Sequence, residues 1–238
     1  MSKAAAQPVT AHLRELRGRI IKAGAAVLVG TVLAFIYRGP IFDLIIAPYE
    51  QVAADRALVF FRPTEAFTLF MRLSLFAGFV FASPVVLWQL WAFVAPALSK
   101  REKRVVIPIV VALTVLFLAG ITFGYWSLER GLGFLIDFGG EDLAPVIGGD
   151  YYLSFALRFL LVFGIGFEFP VFLYAMALMG MVGWRRLASG RRWAVLIIVT
   201  VGAVATPSGD PLTLLLLSIP LYILYEATIW IVRFTVRR

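Results

Sequence analysis

Six apolar segments, at about 20–37, 67–95, 105–128, 152–182, 193–205 and 212–232, divide this chain, and the cations between them alternate in density from one connection to the next. Lys3, Arg14, Arg17, Arg19 and Lys22 precede the first segment, and Lys100, Arg101, Lys103 and Arg104 separate the second from the third. Arg185, Arg186, Arg191 and Arg192 separate the fourth from the fifth, and Arg233, Arg237 and Arg238 follow the sixth. The opposite side holds only Arg38, Arg56, Arg62, Arg72 and Arg130, and Arg158 falls inside a segment. The acids are distributed the other way: only Glu15 and Glu102 accompany the dense cations, and Glu168 and Glu226 lie within apolar segments. Cytoplasmic loops collect Lys and Arg because these residues resist translocation. The pattern therefore predicts an all-α polytopic membrane protein with six transmembrane helices. Residues 1–238 are expected to form a single membrane domain with both termini in the cytoplasm.

Composition narrows the function classes. A hydrophobic content of 61% and a mean hydropathy of +0.92 exclude a soluble globular domain. The pI near 10.1 reflects cations split by topology, so membrane lipids with anionic head groups are the expected partner and nucleic acid is not. The chain has no cysteine and one histidine, His12, so it offers no thiolate metal site, no histidine-rich metal site and no Ser–His dyad within the bundle. No G-x-x-x-x-G-K phosphate loop occurs. Neither enzyme chemistry nor a cofactor nor a metal is expected. The first apolar run ends in Ala34-Phe35-Ile36-Tyr37-Arg38, without a small-residue cleavage site, and is expected to be retained.

Along the chain, residues 1–19 read as a cytoplasmic amphipathic segment, with His12 to Lys22 expected as a helix lying on the inner membrane surface and Leu13, Leu16 and Ile20 at helical spacing. The outer stretch 38–65 carries Pro40, Pro48 and Pro63 around a short apolar run, 41–47, expected to pack as a rim helix. Segment 193–205 covers only ~20 Å of a ~30 Å hydrocarbon core. The sixth segment is divided by Pro220. Short fifth and sixth helices beside long, tilted ones predict a concave bundle that thins the bilayer or admits water locally. Gly78, Phe81, Pro84, Val85, Leu87 and Trp88 share their offsets with Gly164, Phe167, Pro170, Val171, Leu173 and Tyr174, but the flanking segments do not extend this echo into a duplication.

Glu168 is the sharpest single residue. A carboxylate inside the bilayer costs at least ~2.5 kcal/mol and marks a proton carrier, an acceptor for a polar or cationic ligand, or a buried tie to Gln89 or Ser83. Pro170 adds a lost helix hydrogen bond beside it. Glu102, the one acid in a basic loop, reads either as paired with its neighbours or as a guanidinium receptor. Glu15 carries the same ambiguity, since Arg19 stands one helical turn away. Phe93 and Leu98 frame the exit of the second helix, Trp88 and Trp91 suggest an aromatic belt, and Gly120 and Gly124 form a GxxxG packing signal. On these residues alone a proton-coupled small-solute permease using Glu168 and a purely structural scaffold both stay open.

Several blocks, taken in order, resemble one family over nearly the whole chain. They are His12-Leu13-Arg14-Glu15-Leu16-Arg17; Pro48; Pro63 with Glu65 and Phe67; Ser83-Pro84, Gln89 and 91–98 with Glu102; Phe163-Gly164 with 167–170; and Thr206-Pro207, Asp210, Pro220 and Tyr225-Glu226. Together they resemble the C subunit of the twin-arginine translocase (TatC). The resemblance implies a non-enzymatic receptor and core subunit for folded proteins whose signal peptides carry adjacent arginines. Recognition would fall on Glu102, Phe93, Leu98, Glu15 and Arg17, with Glu168 and Gln89 serving later intramembrane steps. Pro48, Pro84, Pro170, Asp210 and Glu226 would be partner or structural positions. Implied partners are twin-arginine signal peptides, single-span subunits of the TatA/TatB type and other copies of the chain, and the proton gradient would drive export. The last outer turn departs from the family pattern, which usually places its Asp one residue earlier.

Overall fold

The computed structural model describes residues 9–53, 58–94, 106–140, 146–206 and 209–236. Nine helices account for most of them: α1 (Val9–Ile36), α2 (Arg38–Val52), α3 (Glu65–Val94), α4 (Val106–Asp137), α5 (Gly149–Gly166), α6 (Phe169–Leu178), α7 (Trp184–Ser189), α8 (Arg191–Ala205) and α9 (Pro211–Thr235). Among the described residues the sole β feature is an isolated parallel bridge between Val59 and Gly148. The protein is an all-α, polytopic membrane bundle. Five helical stretches are long and apolar enough to cross a bilayer: Leu13–Ile36, Glu65–Phe93, Ile107–Asp137, Gly149–Leu178 and Pro211–Thr235. The sixth crossing is α8, whose 15 residues reach only ~22 Å.

Three elements differ from the sequence expectation. First, α9 is not short: it runs 25 residues, and Pro220 sits inside it without dividing it. A proline is tolerated in a spanning helix when neighbouring groups accommodate the carbonyl it frees. Second, the fourth apolar segment is two helices, because the chain turns at Phe167 and Glu168 before α6 begins with Pro170 in its first turn. Pro170 has no amide proton and its fixed φ suits a helix start better than a helix interior. Third, α1 is a single uninterrupted helix from Val9 to Ile36, so the amphipathic stretch and the first span are collinear.

The rim helix α2 shows how one proline recruits a partner. Pro48 lies inside α2 and cannot donate to the Leu44 carbonyl one turn back. The Tyr125 hydroxyl of α4 donates to that carbonyl at 2.8 Å, and the buried Tyr152 hydroxyl of α5 donates to the adjacent Ile45 carbonyl at 2.6 Å. Two side chains thus tie α2 onto the bundle at the acid-rich end.

The main core is built around α5. Leu153, Ala156, Phe159, Leu160 and Phe163 are fully or almost fully buried against Leu69 and Leu73 of α3, Leu128 of α4 and Leu217 of α9. A second cluster joins Leu87 and Trp91 of α3 to Ile109, Val110, Leu113 and Phe117 of α4 and Val171 and Ala175 of α6. The GxxxG of α4 is the seam with α5: a Cβ on Gly120 would stand 2.5 Å from the Phe163 carbonyl oxygen, and one on Gly124 2.9 Å from the Phe163 Cβ. Only glycine lets the backbones approach this closely.

Candidate functional site

At the cation-rich end, the candidate recognition residues come from two antiparallel helices. α1 packs chiefly on α3, and their closest approach is glycine on glycine. A Cβ on Gly30 would stand 2.5 Å from the Gly78 carbonyl oxygen, and one on Gly78 2.4 Å from the Thr31 amide nitrogen. From that crossing the two helices run towards the cation-rich end at equal rise per residue. Glu15 is as far from Gly30 along α1 as Phe93 is from Gly78 along α3, so the register sets them at one level. Phe93 is half-buried, Arg17 is exposed, and Gln89 is half-buried one turn deeper on α3. Leu98 and Glu102 lie outside the described residues, in the stretch that follows α3.

Glu15 is already engaged. Arg19 donates to its Oε1 from Nε at 3.1 Å and from Nη2 at 2.6 Å. Both side chains remain partly exposed, so the pair is worth only ~0.3–0.5 kcal/mol. An incoming guanidinium has to compete with an intrahelical partner, though a weak one.

Glu168 occupies the turn between α5 and α6. It is 5% exposed, and neither carboxylate oxygen has a hydrogen-bond partner among the described residues. The ties to Gln89 and Ser83 that the sequence left open do not form, and the Ser83 hydroxyl is likewise buried without a partner. The side chain does not cap α6 either, although it stands at the N-cap position. Pro84, the other proline of the echo, stays inside a continuous α3 and is exposed, whereas Pro170 is buried at the helix break. The two positions share a residue type and have different surroundings.

The remaining candidates have structural attachments. Asp210 is the N-cap of α9, its Oδ1 accepting from the Thr213 amide at 2.8 Å. Gly209 before it has φ +61°, a left-handed conformation open to glycine. Glu226 accepts from Arg191 Nε at 2.6 Å and Nη2 at 3.0 Å and from the Tyr222 hydroxyl at 3.0 Å, joining α9 to the start of α8.

Sequence reasoning missed a latch at the acid-rich end. Glu65 is buried at the start of α3, and its carboxylate accepts from the amides of Phe61 at 2.9 Å, Arg62 at 3.2 Å and Asp150 at 3.1 Å. Arg72 bonds Asp150 at 2.6 Å and Ser154 at 3.0 Å. The signal available was a lone acid just after Pro63, at a helix start where a carboxylate meets free amides. Its partner across the loop could not be read from spacing.

Residues 11–220 match the family model for the Sec-independent protein translocase protein TatC. The chain belongs to the TatC family. It is 37% identical to the TatC of Aquifex aeolicus, the match covering 97% of both chains. It is 36% identical to that of Carboxydothermus hydrogenoformans, covering 94% of this chain and 91% of the relative. It is 39% identical to that of Frankia casuarinae, covering 93% of this chain but 64% of that longer relative. A crystal structure of a twin arginine translocase receptor TatC in the detergent DDM superposes with a TM-score of 0.82 at 37% identity, covering 93% of this chain and 99% of that one. A second TatC crystal structure gives 0.78 at 35% identity, covering 95% of this chain. The chain is therefore a multi-pass membrane subunit of a Tat translocase and not an enzyme. Family membership gives the small-solute permease reading of Glu168 no support.

Proposed function

We propose that this TatC-family protein is the receptor and core subunit of its translocase. It would bind the paired arginines of signal peptides at its cation-rich, cytoplasmic end and gather single-span subunits for proton-gradient-driven export across the inner membrane. The observation that carries the reading is the α1–α3 register, which sets Glu15 and Phe93 at one level at the cation-rich end. Two guanidiniums need carboxylates, and Glu15 and Glu102 are the acids at that end outside the apolar segments. A guanidinium fork matches a carboxylate in two bonds where an ammonium makes one, which favours arginine over lysine. Surrounding cations repel unspecific basic peptides, adding selectivity.

The partner surface follows from α8. Its short span lies beside a groove of about 430 Å³ lined by Val162, Ile165, Phe169, Ile197, Val201 and Leu221. A single apolar helix is a fitting occupant for an apolar groove at membrane depth. The deciding test is binding of a fluorescent signal peptide to the chain in nanodiscs, Arg-Arg against Lys-Lys, each with and without Glu102→Ala. We expect either change to weaken binding about tenfold or more, as the loss of a charge-assisted pair implies. Equal binding in all four arms would remove recognition from this chain alone.

A further inference from the structure

A second feature of the cation-rich end lies apart from the residues proposed above for signal recognition and partner docking. Trp184 opens α7, and its ring carries two guanidiniums: that of Arg185 lies 5.4 Å from the ring centroid and that of Arg233, from the end of α9, 5.0 Å. Arg233 also stands 5.4 Å from the ring of Trp230. The frame around this cluster is firmly tied. Leu187 of α7 is buried, and its carbonyl accepts from the Tyr225 hydroxyl at 2.6 Å.

The charge of this cluster is not balanced. After Gly183 the sequence has two acids, Asp210 and Glu226. Asp210 caps the far end of α9, and Glu226 is occupied by Arg191 and Tyr222. Arg185, Arg186, Arg192 and Arg233 are exposed and have no carboxylate partner among the described residues. An aromatic face attracts each cation, but it cannot cancel the repulsion between two cations sharing one ring. An anion between them would.

The neighbouring surface indicates which anion. Trp230, which stacks on Phe234 at 5.9 Å and lies beside Arg233, is 51% exposed and Phe234 71%, an apolar fringe next to the guanidiniums. A free phosphate would use the arginines and leave that fringe unmatched, whereas a lipid uses both. We propose that the α7 cluster is a specific binding site for an anionic phospholipid. Its phosphodiester would bridge Arg185 and Arg233 across Trp184, and its acyl chains would lie along Trp230 and Phe234. Guanidiniums bind phosphate oxygens in pairs, and basic pockets between spanning helices take anionic head groups.

The test is native mass spectrometry of the full chain released from phosphatidylcholine nanodiscs doped with phosphatidylglycerol, counting anionic lipid retained. Arg185→Gln with Arg233→Gln should reduce retention about tenfold or more, since two charge-assisted contacts go. Arg14→Gln with Lys22→Gln, which removes the same charge elsewhere at that end, should not. Arg185→Lys with Arg233→Lys keeps the charge and guards against misfolding, and it should still lose retention because an ammonium cannot fork. Equal retention in the glutamine variant and the control would overturn the proposal. So would full displacement by soluble glycerol phosphate, which would mark a free-anion site.

Discussion

Glu168 and Asp210 are both buried acids at helix starts, and they differ in whether the helix uses them. Asp210 satisfies an amide of α9 that would otherwise lack a partner. Glu168 satisfies none, and its two oxygens have no partner among the described residues. A buried polar group without a partner is kept at a cost, so its replacement by an apolar residue of similar size should not destabilise the fold. Glu168→Leu should leave the unfolding free energy in detergent unchanged or raised, by up to the ~2.5 kcal/mol that translocon scales assign an intramembrane acid. Export of a folded twin-arginine reporter should fall in the same variant. A clear loss of stability would instead show that the carboxylate holds the bundle together.

At the scale of elements, the α1–α3 crossing decides what the cation-rich end presents. Two glycines permit backbone contact, and the register that follows sets Glu15 level with Phe93. Gly30→Ala or Gly78→Ala would force the helices apart, because the added methyl meets backbone atoms that cannot rotate away. Each should cost ~1–3 kcal/mol in detergent unfolding, the usual scale for overpacking. Gly24→Ala is the control, since nothing lies within 4 Å of its Cβ position. Alanine there should be neutral or stabilising by up to ~1 kcal/mol. Equal losses at Gly24 and Gly30 would mean that the close crossing does not govern the effect. The α5–α6 turn is the other element that matters, because it takes Glu168 out of a regular helix.

For the whole molecule, unequal helix lengths are the governing property. α4 has 32 residues, ~48 Å, and α8 has 15, ~22 Å. A bundle with one side so short must thin the bilayer or expose polar ends to it, and the proposed single-span partner would relieve that mismatch by seating on α8. Inserting two apolar turns into α8 should abolish co-purification of single-span subunits while signal-peptide binding survives. Intact assembly in that variant would remove bilayer thinning from the docking account.

Much of this protein is legible in the order of its residues. The alternation of Lys and Arg, the run lengths and the short fifth segment specify a six-crossing bundle, because membrane insertion reads hydropathy and charge locally along the chain. The ordered blocks from His12 to Glu226 carry the family, and the GxxxG of α4 is legible as a packing seam because its spacing is one helical turn. What tertiary structure decided depends on groups distant in sequence. Pro220 reads as a divider and Pro170 as a kink, yet only Pro170 falls at a helix break, since the outcome rests on neighbours that no local pattern contains. Glu65 meets Asp150, Tyr125 meets the carbonyl freed by Pro48, and Arg191 takes Glu226 only once loops close and helices pack. The same closure leaves Glu168 without a partner among the described residues and sets Arg185 and Arg233 on one ring. Sequence sets which groups lie in each layer of the membrane, and packing sets which of them find one another.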